Sequence, residues 1–558
     1  MCRARRCLPL LVCCFAGACA AGPDYVRPAP PVETRYLDAP PERTAAAPGR
    51  GGEAQFFLPG QELPRGWWYW FESPELNGLV ERAFQGSPSL AAVRARLRGA
   101  AATLRARRAL LSPEVEGVVS GSYGNSRGGG GPNNGGVGGD GGGGQQPANP
   151  DAPVDPTEPV DPTLPGGGDP GAGVANNGQG NQGGSIGGSP FAVYTATATI
   201  SYDLDIAGRN RRLVESGEAR VEAARQQLQA AYLALVGNIV STALERATLV
   251  EQIRVREELV AAQERRIALL RVQVEEGALA RAGLVTALAE VASLRATVPP
   301  LRAQLAAAEN GLAELIGVPP AGAAIPPVIL DGLRLPRTVP IALPSTLVRS
   351  RPDILASEAL LAAASAEIGV AAADLYPNLT LDASFGAGGV DSTLGAFFDL
   401  GGQLLAPLFD AGRRRARRDV AVAAYQEALA NYQVQVLAAF TQVANGIRAL
   451  ENDAAALAER RTALDAARES FDLAVFQERE GAVSSIDVLV VQQQFQNAAF
   501  TYIDALARRL QDTAALFAAL GPGPLTDDAV ASVTLGEPLA ATRRSLEAGS
   551  APPAVPAP

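Results

Sequence analysis

Asp205-Ile206-Ala207-Gly208-Arg209 recurs as Phe409-Asp410-Ala411-Gly412-Arg413, with the two glycines 204 residues apart. The same spacing separates Gly277-Ala278 from Gly481-Ala482, and Leu315-Ile316-Gly317 from Ala519-Leu520-Gly521. Three landmarks on one ungapped offset mark an internal duplication, and its period sets the architecture before any local reading. Upstream, Pro88 and Pro113 match Pro352 and Pro377 at an offset of 264. The first copy therefore carries about sixty extra residues, visible as the Gly/Pro/Asn-rich tract from Asn125 to Pro190.

Each copy reads as helix, β-hairpin, long helix and returning helix. Leu76 to Leu111 is rich in Ala, Leu and Arg, and its one proline, Pro88, stands near the start where a helix can open. Gly208 to Gly277 and Gly412 to Gly481 contain no proline; continuous helices of that length would reach roughly 100 Å at 1.5 Å per residue. Helices so long imply a coiled-coil or tubular body. Gln226 to Leu244 carries no charge, but Gln226, Gln227, Gln229 and Asn238 argue for a buried packing face over a membrane span.

The segments before the long helices have a period of two. In Phe191 to Leu204, one face carries Tyr194, Ala196, Ala198, Ile200, Tyr202 and Leu204, and the other Thr195, Thr197, Thr199, Ser201 and Asp203. In the second copy Leu379, Leu381, Ala383 and Phe385 alternate with Asn378, Thr380, Asp382 and Ser384. Phe398, Leu400, Leu404 and Leu408 supply the apolar face of the fourth strand. Apolar-out, polar-in alternation suits a membrane barrel. A half-buried soluble sheet has the same alternation. Four strands are too few to close even a small barrel, so a barrel reading requires several copies of the chain.

Arg3, Arg5 and Arg6, then the apolar run Leu8 to Phe15 and the small residues Ala16-Gly17-Ala18 before Cys19, read as a secretory signal. All five cysteines lie at or before position 19, so cleavage before Cys19 leaves one thiol and no disulfide framework within one chain. Losing the leader moves the formal charge from −10 to −13, which argues against a nucleic-acid partner. The chain has no histidine and no lysine, and its only methionine is the initiator. Imidazole is thus missing as base and as metal ligand. The Gly128 to Gly144 run lacks the Lys-Ser/Thr ending of a phosphate loop. Asp140, Asp151, Asp155, Glu158, Asp161 and Asp169 do not have calcium-loop spacing. No catalytic, cofactor or metal site is expected, and the insertion reads as an acidic disordered surface loop.

Four marks together resemble the lipoprotein branch of the TolC-type outer-membrane efflux proteins. They are Cys19-Ala-Ala-Gly-Pro-Asp-Tyr-Val-Arg-Pro28, the cluster Trp67-Trp68-Tyr69-Trp70-Phe71, Arg351-Pro352-Asp353-Ile354 with Glu358, and Pro407-Leu-Phe-Asp-Ala-Gly-Arg413. Ala16-Gly17-Ala18-Cys19 resembles a lipobox, although Ala16 stands where that pattern usually has Leu; the resemblance implies acylation of Cys19 and anchoring in outer-membrane lipid. It also implies a mainly α fold with a membrane β-barrel. In that fold, duplicated helix–hairpin–long helix units give four strands per chain to a trimeric twelve-stranded barrel above a long periplasmic α-helical tunnel. The partners implied are two further copies of the chain, a periplasmic adaptor and an inner-membrane pump of the RND type. The function implied is a passive exit duct for small molecules such as drugs. Type I protein secretion and metal efflux are alternatives on the same fold, and a periplasmic coiled-coil lipoprotein without a pore is the alternative of another class.

Within that picture Arg209, Arg211 and Arg212 of the first copy, and Arg413, Arg414 and Arg415 of the second, sit at the barrel-to-tunnel junction, to pair with strand-end acids such as Asp205 and Asp410 or to contact anionic groups at the inner membrane surface. The periplasmic gate falls just beyond Gly481, at Ile486, Asp487 and Val490; a helix-end acid is the plainer reading of Asp487. The first copy has Ala282, Gly283 and Thr286 there. The chain is thereby divided into a signal peptide, 1–18, and a lipid-anchored N-terminal and equatorial segment, 19–75. Repeat 1 follows at 76–317 with its insertion at 125–190, then an equatorial linker at 318–343, repeat 2 at 344–521, and a C-terminal equatorial or disordered tail at 522–558.

Overall fold

The computed structural model describes residues 20–30, 32–125, 190–278, 280–390 and 393–521. The expectations for the signal peptide, Cys19, the interior of the insertion and the C-terminal tail lie outside them. The chain divides into two compact units, one from 1–114, 202–381 and 402–558, the other from 115–201 and 382–401.

The larger unit is helical. Helix α1 (Pro74–Gly86) is capped by Ser73, whose hydroxyl accepts from the Leu76 amide, with Pro74 and Glu75 in the first turn. Ser87 is extended, and Pro88 opens α2 (Pro88–Ala109). The single helix expected from Leu76 to Leu111 is therefore two. Pro88 cannot donate to the preceding turn and keeps Ser87 out of the helical region. Helix α3 (Arg209–Glu275) runs unbroken for 67 residues and is followed by α4 (Arg281–Ala296) and α5 (Val298–Ile316). The second half supplies α6 (Pro344–Ser350), α7 (Pro352–Ala373), α8 (Arg413–Arg479, again 67 residues) and α9 (Ser485–Leu520).

Helix α9 returns in one piece, whereas the returning segment of the first copy breaks at Thr297. Pro299 and Pro300 stand where the 204-residue offset puts Ile503 and Asp504 in α9, so the first copy loses two amide donors that the second keeps. Neighbour packing runs α2 on α3, α3 on α7 and α7 on α8, with α9 against both α8 and α3. Arg209–Glu275, Arg281–Ile316 and Pro352–Ala373 are long and apolar enough to cross a membrane by length and composition. In the uncharged stretch of α3 the apolar side chains face the protein instead: Val236, Ile239, Val240, Ala243 and Leu244 are all fully buried.

That core is completed from the ends of the chain. The turn Trp67–Phe71 packs Trp67 and Trp70 edge-on against Phe517 of α9, at centroid distances of 5.7 and 5.6 Å. Strand β1 (Phe56–Pro59) pairs in parallel with β4 (Thr338–Ile341), Phe56 opposite Thr338 and Pro59 opposite Ile341. This joins residues 56–59 to residues 338–341, some 280 positions further on. Arg509 of α9 is wholly buried and donates to Gly51 O, Glu53 O and Thr44 Oγ1 at 2.9, 2.6 and 3.0 Å. Burial pulls its pKa down to about 10, which leaves it charged at neutral pH.

The smaller unit is formed by strands. Strands β2 (Glu114–Asn125), β3 (Pro190–Asp203), β5 (Asn378–Val390) and β6 (Thr393–Leu405) form one sheet in that order. Ser120 and Thr195 hydrogen-bond across β2 and β3 at 2.6 Å, on the polar face expected of Thr195. All thirteen residues of β6 are exposed, Phe398 at 86% and Leu400 at 80%. Leu408, expected on this strand, lies beyond its end. Pro407 has no amide with which to extend a ladder.

Candidate functional site

Both long helices open on a left-handed turn at glycine, Gly208 at φ +77° and Gly412 at φ +87°, a conformation that a Cβ penalises. A carboxylate collects the free amides that follow. Asp205 accepts from the amides of Asn210 and Arg211, each at 2.9 Å. Asp410 accepts from Gly412 and Arg414 at 3.0 and 3.1 Å. The acid lies three residues before the glycine in one copy and two before it in the other, and still does the same work on the helix start.

The six junction arginines divide into four groups. Arg211 pairs with Asp205 at 3.3 Å and Arg414 with Asp410 at 3.6 Å, as the sequence reading expects. Arg209 turns instead to Asp374, at the end of α7, at 2.8 Å. The carbonyl of that same Asp374 accepts from Arg414 at 2.7 Å, so one residue ties the starts of both long helices. Arg413 and Arg415 are exposed and form no ion pair among the described residues.

Arg212 has a different role, one that sequence reasoning missed. Its side chain is buried and donates to Asp24 at 2.8 Å, Glu215 at 2.7 Å, Ala21 O at 3.2 Å and Gly22 O at 3.4 Å. The Ala21 amide donates to Ala207 O at 2.9 Å, and Arg27 clasps both oxygens of Glu358 at 2.8 and 2.6 Å. Gly22, at φ +93°, passes so close to α7 that a Cβ would fall 2.4 Å from Gly369 Cα. Residues 20–27 are thus a strap laid across the start of α3 and along α7. The family marks Arg27 and Glu358 are in the sequence, but nothing in their spacing says that they meet.

At the helix turns, Asp487 forms a reciprocal cap with Ser484. Its carboxylate accepts from the Ser484 amide at 3.0 Å and hydroxyl at 2.7 Å, while its own amide donates to Ser484 Oγ at 3.3 Å. The Ser484 hydroxyl holds the Asp487 carboxyl below the usual range. Val490 is 53% exposed, and the Ile486 side chain lies outside the described ones. In the first copy Thr286 Oγ1 bonds back to Ala282 O at 3.0 Å, with no acid involved. Arg266 of α3 and Glu478 of α8 pair at 2.6 Å, a link between the copies that the sequence reading did not reach. Among the described residues, no group of three or more acids or cysteines stands where it could hold a metal ion.

The family model of the outer membrane efflux protein matches residues 171–318 and 343–522, more than half of the chain. The chain belongs to the outer membrane efflux protein family. The pyoverdine export outer membrane protein OpmQ of Pseudomonas putida is 29% identical over 489 residues, 87% of this chain and 93% of that protein. The probable outer membrane lipoprotein SilC of Salmonella typhimurium is 27% identical over 339 residues, 59% of this chain and 72% of its own. The solved outer-membrane channel OprN superposes with a TM-score of 0.71 at 24% identity, covering 90% of this chain and 99% of that one, and so shares its fold. The family match reaches into both halves of the chain, at 171–318 and 343–522.

Proposed function

We propose that three copies of this chain close a twelve-stranded barrel and a helical tunnel that together form a passive exit duct for small molecules across the outer membrane. The observation that carries the reading is the open four-stranded sheet. Among the described residues β2 and β6 are edge strands without a second neighbour, and β6 exposes every residue, Phe398 and Leu400 included. Unpaired backbone cannot stand in lipid, and four strands cannot close on themselves. Adding copies edge to edge removes both problems, and the wide barrel that results leaves an aqueous channel.

Cys19 is the lipidation site in this reading, and the strap of residues 20–27 supports it by fixing the residue next to it, Ala20, beside the Gly208 turn. The export function in the name of OpmQ supports small-molecule cargo. The energy comes from an inner-membrane pump, of RND type, reached through a periplasmic adaptor. Barrel-forming and merely tethered proteins behave differently once the anchor is removed. Cys19→Ser protein should remain in washed outer membranes as a trimer, and its release as a soluble monomer would overturn the reading.

A further inference from the structure

The turn that leads into α3 borders an apolar cleft of about 700 Å³. Leu111, Leu204, Ile206 and Leu379 line it together with Tyr202. The size is that of a small-molecule site, roughly 300–1,000 Å³. Asp205 and Arg211 make its polar rim and are paired with each other at 3.3 Å. With the rim charges matched and aliphatic walls behind them, the cleft suits an uncharged, apolar guest. Two of the walls are tied to one another, since the Leu204 amide donates to Leu379 O at 2.9 Å. Leu111 is 39% exposed, so the cleft is open at that end.

The strap arrives at this same turn. A Cβ on Gly208 would stand 2.7 Å from Ala20 Cα and 3.6 Å from Nη2 of Arg211 on the cleft rim. The bond from the Ala21 amide to Ala207 O, and those from Arg212 to Ala21 O, Gly22 O and Asp24, fix Ala20 there. Successive Cα atoms are about 3.8 Å apart, so Cys19 is tethered one peptide bond from the rim. A hydrocarbon chain attached to Cys19 starts at the mouth of the cleft, and enters it without the loss of translational freedom that an unattached lipid undergoes.

We propose that the cleft walled by Leu111, Ile206 and Leu379 is the seat of an acyl chain carried by Cys19 of the same protein. The inference rests on the lipidation of Cys19 in the reading above and gives that lipid a second task. Besides holding the protein in the bilayer, the chain covers the apolar walls beside the start of α3 and shields the Leu204–Leu379 bond from water. A free phospholipid offers the same hydrocarbon, and the tether at Ala20 decides for the chain on Cys19.

Leu379→p-benzoylphenylalanine puts a photoreactive ketone on the cleft wall of the full-length protein in its own membranes. Irradiation, proteolysis and mass spectrometry should find position 379 joined to the acylated peptide that begins at Cys19. The product should vanish with Cys19→Ser and fall at least fivefold with Leu111→Arg, which sets a charge at the exposed end of the cleft. The same probe at the exposed Phe476, roughly 95 Å along α8 at 1.5 Å per residue, should give none. Cross-linking at 379 to phospholipid only, or to no lipid, overturns the proposal. In hydrogen exchange, Cys19→Ser should speed the Leu204 amide severalfold, and an unchanged rate would contradict the shielding. Intact mass and planar-bilayer current on wild type separate this inference from the duct. A conducting trimer without acyl mass loses the seated lipid and keeps the duct, whereas an acylated, cross-linked protein that does not conduct keeps the lipid and loses the duct.

Discussion

Arg212 shows how far one side chain can reach. It donates to three residues of the strap and to Glu215 of its own helix, and no neutral residue can replace that set of charge-assisted bonds. Arg212→Ala should release residues 20–27 and speed hydrogen exchange at the Ala21 amide by tenfold or more. Arg212→Lys, a point charge without the fork, should fall between. Arg509→Met leaves the carbonyls of Gly51 and Glu53 without their donor and should lower stability by about 3 kcal/mol in urea unfolding. Asp453 has an acid's pKa raised in the fold to about 7. Between roughly pH 4 and pH 7 the native state binds its proton and the unfolded chain does not, so this group makes stability fall as pH rises through that window. Asp453→Asn should flatten that slope. Asp205 and Asp410 were legible in the sequence because each acts within a few residues of itself. The Arg212–Asp24 and Arg27–Glu358 contacts were not, because pairs separated by 188 and 331 residues leave no local signal.

Among the elements, regular periods read true and proline decided the exceptions. The 67-residue helices follow from two proline-free stretches ended by glycine, and the strands from alternation. Sequence reading passed over Pro88 as a helix divider and Pro299-Pro300 as a break, since a helix can accept proline in its first turn and only the backbone reveals which turn that is. Asp487 illustrates the limit for the site: its place at a helix start was readable, and the structure gives it a capping bond there. Asp487→Ala should cost the first turn of α9 about 1 kcal/mol, read as roughly fivefold faster exchange in residues 484–490. The insertion makes an independent test of the duplication. Deleting about sixty residues within Asn125 to Pro190, with Phe191 to Leu204 intact, should change loop closure by no more than about 1 kcal/mol. The shortened protein should still insert and assemble, and failure to do so would make the tract part of the fold.

For the whole molecule, neither the sequence nor a single chain supplies the closed pore. What they supply is a sheet with two open edges and an apolar β6 left exposed among the described residues. That geometry supports the proposal that further copies complete the wall. The direct measurement is single-channel current from the purified protein reconstituted in planar bilayers. A duct built from three copies predicts discrete, ion-conducting steps from the trimeric fraction and none from dissociated monomer. A well-folded trimer that leaves the bilayer electrically sealed, under conditions in which related outer-membrane channels conduct, would contradict the account.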